Sequence, residues 1–503
     1  MSFIQYARRY VFFPAIIVIF ISALTTLVFP HLAESFFNVL HQFFLTTFGW
    51  LYIGAVATFL IICLFVMFSQ FGYIRLGKDH ERPVYGAISW FSMLFAAGMG
   101  IGLMYFSVAE PVQHYLNSPG QPDATNAMNL TLLHWGLSAW SIYSLLALAL
   151  AYFSYRHDLP LLPRAALYPL LKERIYGIPG HLIDIFAVIS TVFGVATSLG
   201  LGTAQINAGL SFLWAAPEGI WMQLTIIVVI IGIACISVAL GLDSGIKRLS
   251  NLNMLLACLL MSFILITGPT IFLLEAMVNN IGTYLSSLPE QMFHTAAYEN
   301  NDWIENNTLF FWGWWIAWSP FVSMFIARVS RGRTLRQFLG GVLMIPTGFI
   351  IIWMSIFGNS AIALVQSGSN DQLGQTSLNS PSTALFAYLQ NFPFTTIVSV
   401  IAILLVGIYF ITSADSGALV VNKIANGNRQ STALQRITWC LLIGLVAFAL
   451  LFAGGKQALN ALQTATIASA FPFLLILLAI CVALLKSLYQ EYQTKQYSDD
   501  DSI

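Results

Sequence analysis

The stretch FFWGWWIAWSPF at 310–321 sets Trp312, Trp314, Trp315 and Trp318 within seven positions of one apolar segment. Tryptophan in membrane segments ordinarily gathers at the two interfaces, so indoles in mid-segment ask for a chemical reason. A second group, Trp135, Trp140 and Tyr143 in HWGLSAWSIY, falls within nine positions of another apolar run. At about 100° per helical residue the second group covers roughly 140° of arc, and Trp314, Trp315 and Trp318 roughly 100°. One aromatic stripe by itself usually means packing. Two stripes face to face would form a box whose π faces attract a cation, by about 2 kcal/mol per ring once desolvated. A methylated ammonium suits such a box, having no N–H group to satisfy.

Three further stretches carry oxygen or backbone chemistry. In FAAGMGIGLM, Gly98, Gly100 and Gly102 alternate beside Ala96 and Ala97. Small residues there serve either close helix packing or an unwound turn whose carbonyls are free to bind a cation. YFITSADSGAL supplies hydroxyls from Thr412, Ser413 and Ser416 and a carboxylate from Asp415. Each hydroxyl alone often bonds back to its own helix; joined to carbonyls of a broken glycine helix, they would make a hard oxygen site of sodium type. STVFGVATSLGLG adds Ser190, Thr191, Thr197 and Ser198. Among ionisable residues inside apolar runs, Glu110 precedes Pro111 and is expected to cap or orient a helix end. His134 sits beside the tryptophans as a proton site or a hydrogen-bonded structural histidine, and Asp415 is the acidic candidate for ion coupling or for anchoring a basic loop.

The elements that must position these groups are membrane helices. The 503 residues are 58% hydrophobic and 8% charged, against about 25% charged in a soluble domain. Twelve runs are long and apolar enough to cross a bilayer, near 11–31, 48–73, 85–108, 128–154, 181–214, 219–241, 250–279, 307–328, 337–364, 394–422, 433–454 and 461–488. The runs at 181–214 and 394–422 exceed a bilayer's need and are expected to tilt or break. With twelve spans every Lys and Arg except Lys456 falls on one side, together with both termini, and the positive-inside rule makes that side cytoplasmic. The same rule accounts for ARVSRGRTLRQF, with Arg328, Arg331, Arg333 and Arg336. Zero net charge and no polybasic tail argue against a nucleic-acid partner. The five cysteines lie in apolar runs without metal or redox spacing and read as buried small hydrophobes.

The expected fold class is therefore an all-α integral membrane protein. It has two peripheral N-terminal helices (1–80), five helices (84–279), an outer loop (280–306), five more helices (307–488) and a short cytoplasmic tail (489–503) expected to be disordered. Ile281, Leu285, Leu288 and Met292 in the outer loop stand at the spacing of an interfacial helix, or of a plain structured loop. Five plus five reverses the membrane orientation of corresponding helices, as an inverted-repeat transporter requires. A channel would need a filter-like ring, and none is visible. An enzyme would need a nucleophile and base in reach, for which His134 with Ser138 is the one nearby pair and is better explained by packing.

GMGIGLMYFSVAEP, WGLSAWSIY, FFWGWWIAWSPF, SRGRTLRQF, FGNSA and TSADSGAL together resemble the betaine–carnitine–choline transporter family. That resemblance implies a trimer of twelve-helix protomers in the bacterial inner membrane, each with a ten-helix inverted repeat of the sodium/amino-acid transporter type. It implies ion-coupled import of quaternary ammonium compounds and no enzymatic activity or cofactor beyond a coupling ion, sodium, with a proton-coupled choline importer or an ion-independent carnitine-type exchanger as alternatives; the Thr412–Ser413 hydroxyl pair speaks against the exchanger. Trp135, Trp140, Tyr143, Trp314, Trp315 and Trp318 match the family's aromatic box, Trp312 its substrate path, and Gly98, Gly100 and Gly102 the glycine stretch beside the substrate. Ala96, Met99, Tyr409, Thr412 and Ser413 match a sodium site. Thr191 and Phe321 match part of a second one, where Val195 replaces a threonine. Proton-coupled choline carriers of the family bear an aspartate at the position of Gly102, so glycine there favours a betaine-type zwitterion or a broad betaine/choline specificity, while FSVAEPV and ALYP look closest to the choline carriers. The short tail leads to an expectation of activity independent of osmolality.

Overall fold

The computed structural model describes residues 8–98, 100–118, 121–240, 243–298, 302–368, 371–427, 432–455 and 458–500. Every regular element among them is helical, and the one β pairing is a single antiparallel bridge between Arg75 and Thr334. In hydrocarbon a helix is favoured because it satisfies its own backbone groups. Among the described residues, eleven helices are long and apolar enough to cross a membrane. A π-helical turn at Arg8–Phe12 leads into α1 (Phe13–Val28), which is followed by α2 (Pro30–Phe68).

The expected third span is two helices, α3 (Ala87–Gly98) and α4 (Ile101–Leu116), joined through an extended Gly100 (φ −166°, ψ 176°). At 12 and 16 residues, neither is long enough to count as a crossing by itself. The expected fourth span is also interrupted, between α5 (Ala124–Trp135) and α6 (Leu137–Ala151), at Gly136. A Cβ at Gly136 would lie 2.6 Å from the Leu132 carbonyl oxygen and 2.6 Å from Tyr284 Oη. The Leu137 N–H, released by the break, donates to that phenol oxygen at 2.9 Å.

The long segments expected to tilt or break are continuous: α7 (Ile178–Trp214) has 37 residues. It is followed by α8 (Ile220–Leu240) and α9 (Asp243–Thr267). The expected seventh span, 250–279, does not survive as one helix. Gly268 and Pro269 end α9, and α10 (Thr270–Met292) takes over the rest and the expected interfacial segment. Proline cannot donate to a preceding turn, which explains the stop. On α10, Tyr284, Leu288 and Met292 are buried at four-residue steps, whereas Ile281 and Leu285 face outward.

Next come α11 (Asp302–Val329) and α12 (Leu335–Gln366), the latter opened by a capping box between Thr334 and Gln337. Two short helices follow, α13 (Asp371–Asn379) and α14 (Pro381–Leu389). Then follow α15 (Thr395–Ala425), unbroken over 31 residues, α16 (Ala433–Gly454) and α17 (Ala458–Asp500). The tail expected to be disordered continues α17 as far as Asp500. It is held where Arg156 Nε donates to Glu491 at 2.6 Å and Tyr152 Oη donates to the same carboxylate at 2.8 Å.

α6 is buried along its whole length and packs against α11, while α7 packs against α15 and α17. These central helices position the aromatic groups. α1, α8 and α9 expose large apolar side chains such as Ile21, Val228, Ile236 and Leu255, the surface a lipid solvent would cover.

Many of the basic residues meet at one end of the molecule. Arg331 grips Glu81 with two hydrogen bonds of 2.7 and 3.0 Å, Arg336 donates to the carbonyls of Met67 and Ser69, and Arg333 lies 3.9 Å over the ring of Trp90. The arginine-rich loop thus fastens α2, α3 and α12 together, a structural role beyond the charge bias expected of it. The Arg331 hydrogen bonds hold the Glu81 carboxyl down at about 2.

Candidate substrate site

The two tryptophan groups face each other. Trp135, Trp140 and Tyr143 from α5 and α6, and Trp314, Trp315 and Trp318 from α11, line one cavity of about 50 Å³ together with Gly100, Gly102 and Ser198. Trp314 and Trp315 stack at 4.8 Å, Trp135 meets Trp315 edge-on at 4.9 Å, and Trp140 meets Tyr143 at 5.4 Å.

Four of the five indoles on the cavity have their N–H groups engaged by the protein. Trp135 donates to Glu110 at 2.6 Å, Trp314 to Ser198 Oγ at 3.1 Å, Trp315 to the His134 carbonyl at 2.7 Å, and Trp318 to the Gly194 carbonyl at 2.9 Å. A ring whose donor is fixed to the protein presents its π face, not its polar edge. The cavity lining carries no formally charged residue. Such a space binds a cation by ring quadrupoles and offers little to a ligand that must donate hydrogen bonds.

Gly102 is confined by these rings: a Cβ there would stand 2.5 Å from Trp314 Cη2 and 2.9 Å from Trp135 Cη2. No larger side chain fits without moving the indoles. Gly98 ends α3 and Gly100 forms the extended link. Trp312 does not line the cavity; it is buried on another face of α11, edge-on to His134 at 5.8 Å.

A second cavity, about 290 Å³, adjoins the first through shared Trp318 and Val322. Its walls include Tyr409, Thr412, Ser413, Phe321, Asn253 and Arg328. Arg328 lies three residues from Arg331, so this cavity sits toward the basic end. Thr412 lines this cavity, and its Oγ1 donates back to the carbonyls of Ile408 (2.9 Å) and Tyr409 (3.2 Å) of its own helix. Of the other residues expected around sodium, Met99 and the side chain of Ala96 lie outside the described residues. Thr191 donates to the Ala187 carbonyl at 2.7 Å and lines neither cavity. Asp415, expected as an ion-coupling acid, is buried on α15 and is a wall of neither cavity.

Glu110 has a different place from the one expected, while His134 is hydrogen-bonded through both ring nitrogens, in keeping with the structural histidine that was one of its two readings. Glu110 is 1% exposed; besides Trp135, its carboxylate receives His134 Nδ1 at 2.7 Å and His114 Nε2 at 3.1 Å. His134 Nε2 meets Thr308 Oγ1 at 3.0 Å, so both ring nitrogens are engaged and Ser138 is not its partner. Sequence reasoning left this hub unassembled. Its one local signal was the i, i+4 spacing of Glu110 and His114; the partners that matter lie 24 and 25 residues away.

A many-helix membrane protein with an uncharged aromatic cavity between its helices has the architecture of a carrier. The chain matches the betaine/carnitine/choline family transporter model over residues 10–493 and belongs to that family of transporters. It is 45% identical to a glycine betaine transporter of Acinetobacter baylyi, over 95% of this chain and 73% of that one. It is 41% identical to an osmo-dependent choline transporter of the same organism, over 96% and 72%. It is 41% identical to a glycine betaine/proline/choline transporter of Vibrio parahaemolyticus, over 94% and 88%.

Proposed function

We propose that this transporter imports quaternary ammonium compounds, glycine betaine with choline as a second substrate, across the bacterial inner membrane by alternating access coupled to sodium. The observation that carries the substrate class is the uncharged aromatic box, in which four of the five indole N–H groups are held by acceptors of the protein. The crowding at Gly102 supports the zwitterion: a carboxylate suited to balancing choline's charge has no room there. Relatives named for glycine betaine and for choline are in keeping with this pair of substrates.

In this reading α3 and α4 together make one crossing. That brings the total to twelve, ten of them in the five-plus-five inverted repeat, with both termini cytoplasmic and a trimeric assembly. The extended Gly100 beside the box resembles the discontinuous helices on which such repeats build their sites. Sodium is the co-substrate, held by Thr412 and Ser413, whose positions on the second cavity support the assignment. The larger cavity lies toward the basic end, and with that end cytoplasmic the conformation is the inward-leaning one.

Uptake of labelled glycine betaine and of labelled choline into proteoliposomes, under a sodium or a proton gradient in turn, tests this. Sodium-driven betaine accumulation is the expected result. Choline accumulation driven by protons alone would overturn both the ion and the substrate preference.

A further inference from the structure

The cavity walls carry no formal charge, yet a cation taken from water needs a negative potential nearby if it is to bind without its counter-ion. Glu110 is the carboxylate bonded directly to a wall of that cavity, through the N–H of Trp135 at 2.6 Å. Its other oxygen receives the two histidines. The distances fit neutral imidazoles in the tautomer where His134 donates from Nδ1 to Glu110 and accepts the Thr308 hydroxyl proton at Nε2. In that tautomer Trp135 and both histidines can all donate to Glu110, the arrangement a carboxylate anion would require. The same cluster fixes a second wall, since the His134 carbonyl accepts the N–H of Trp315.

We propose that Glu110 is a positioning and specificity residue of the box: it orients Trp135 and, as a buried anion behind that ring, makes the cavity negative. The inference rests on the quaternary ammonium reading above. Its consequence is selective. Choline is a net cation and gains the whole of that potential. Glycine betaine carries its own carboxylate, so attraction at one end is opposed by repulsion at the other. A buried charge is weakly screened by salt, so the effect persists at physiological ionic strength. The site thereby retains choline although Gly102 leaves no space for a carboxylate inside the box.

The variants Glu110→Gln, Glu110→Asp and Trp135→Phe separate the two roles. Full-length protein in lipid nanodiscs would be titrated with choline and with glycine betaine, reading tryptophan fluorescence. In E110Q the amide oxygen can still accept from Trp135 while the charge is gone. Choline affinity is expected to fall about tenfold more than betaine affinity, equivalent to about 1.4 kcal/mol. E110D and W135F keep the charge and disturb the orientation, so both substrates should weaken together, with their ratio within about twofold of wild type. Equal losses in E110Q would reduce Glu110 to a structural hydrogen-bond partner and overturn the proposal. So would a changed ratio in E110D or W135F, which also decides the matter if E110Q does not fold. Wild-type protein that binds neither compound would instead overturn the substrate class, a result separate from any of these.

Discussion

At the scale of single residues, the box is defined by which atoms are kept away from the ligand. With its N–H on the Gly194 carbonyl, Trp318 contributes a face to the cavity and also forms the partition to the second cavity. Trp318→Leu is expected to weaken substrate binding by roughly 30-fold, the equivalent of one desolvated cation–π contact of about 2 kcal/mol, and to abolish saturable uptake. Equilibrium binding on protein that still elutes as a folded species would check it, and unchanged affinity would remove Trp318 from the site. Gly102→Ala places a methyl group 2.5 Å from Trp314 Cη2. Overpacking of that kind costs about 1–3 kcal/mol. A lower thermal midpoint and a weaker betaine affinity should therefore appear together, and a variant with neither change would mean that the rings yield easily.

At the scale of elements, the two glycine breaks put non-helical backbone where the aromatic groups converge. The alternating glycines of α3 and α4 announced one break, because three in five positions weaken any helix. The break at Gly136 was not legible, since one glycine in an apolar run is ordinary and its stabilising partner, Tyr284, sits 147 residues from the amide it serves. The box itself was legible because indoles are rare enough in mid-span for their clustering to be informative. Its acceptors were not, because Ser198, Gly194 and the His134 carbonyl look like any other polar atoms along a helix. Gly268–Pro269 was visible as a stop, yet hydropathy runs straight through it and the reading followed hydropathy. Tyr284→Phe should cost about 1–3 kcal/mol by leaving the buried Leu137 N–H without an acceptor, measured as a lower thermal midpoint in detergent. On α15, replacing both Thr412 and Ser413 by Ala should raise the sodium concentration for half-maximal uptake several-fold. No shift in the sodium titration would remove those hydroxyls from coupling.

At the scale of the whole molecule, one end is tied by charge while the centre is closed by rings. The Glu81 carboxyl is held at about 2 by Arg331, below its unfolded value of about 4.3. The pair's contribution is therefore fully present above about pH 5 and is lost as pH falls from there toward 2. Because Arg331 is half exposed to water, the loss is small. Glu81→Gln should lower the thermal midpoint slightly at pH 7 and not at all near pH 2; an equal effect at both would show that the charge is not the stabilising feature. Tyr284 has a different reach. It belongs to α10, whose Ile281 and Leu285 face away from the protein, yet its phenol closes the gap beside Trp135. A molecule that seizes α10 and draws that phenol outward would never compete with substrate for the rings. It would inhibit noncompetitively, lowering the maximal rate of uptake while leaving the half-saturating substrate concentration where it was.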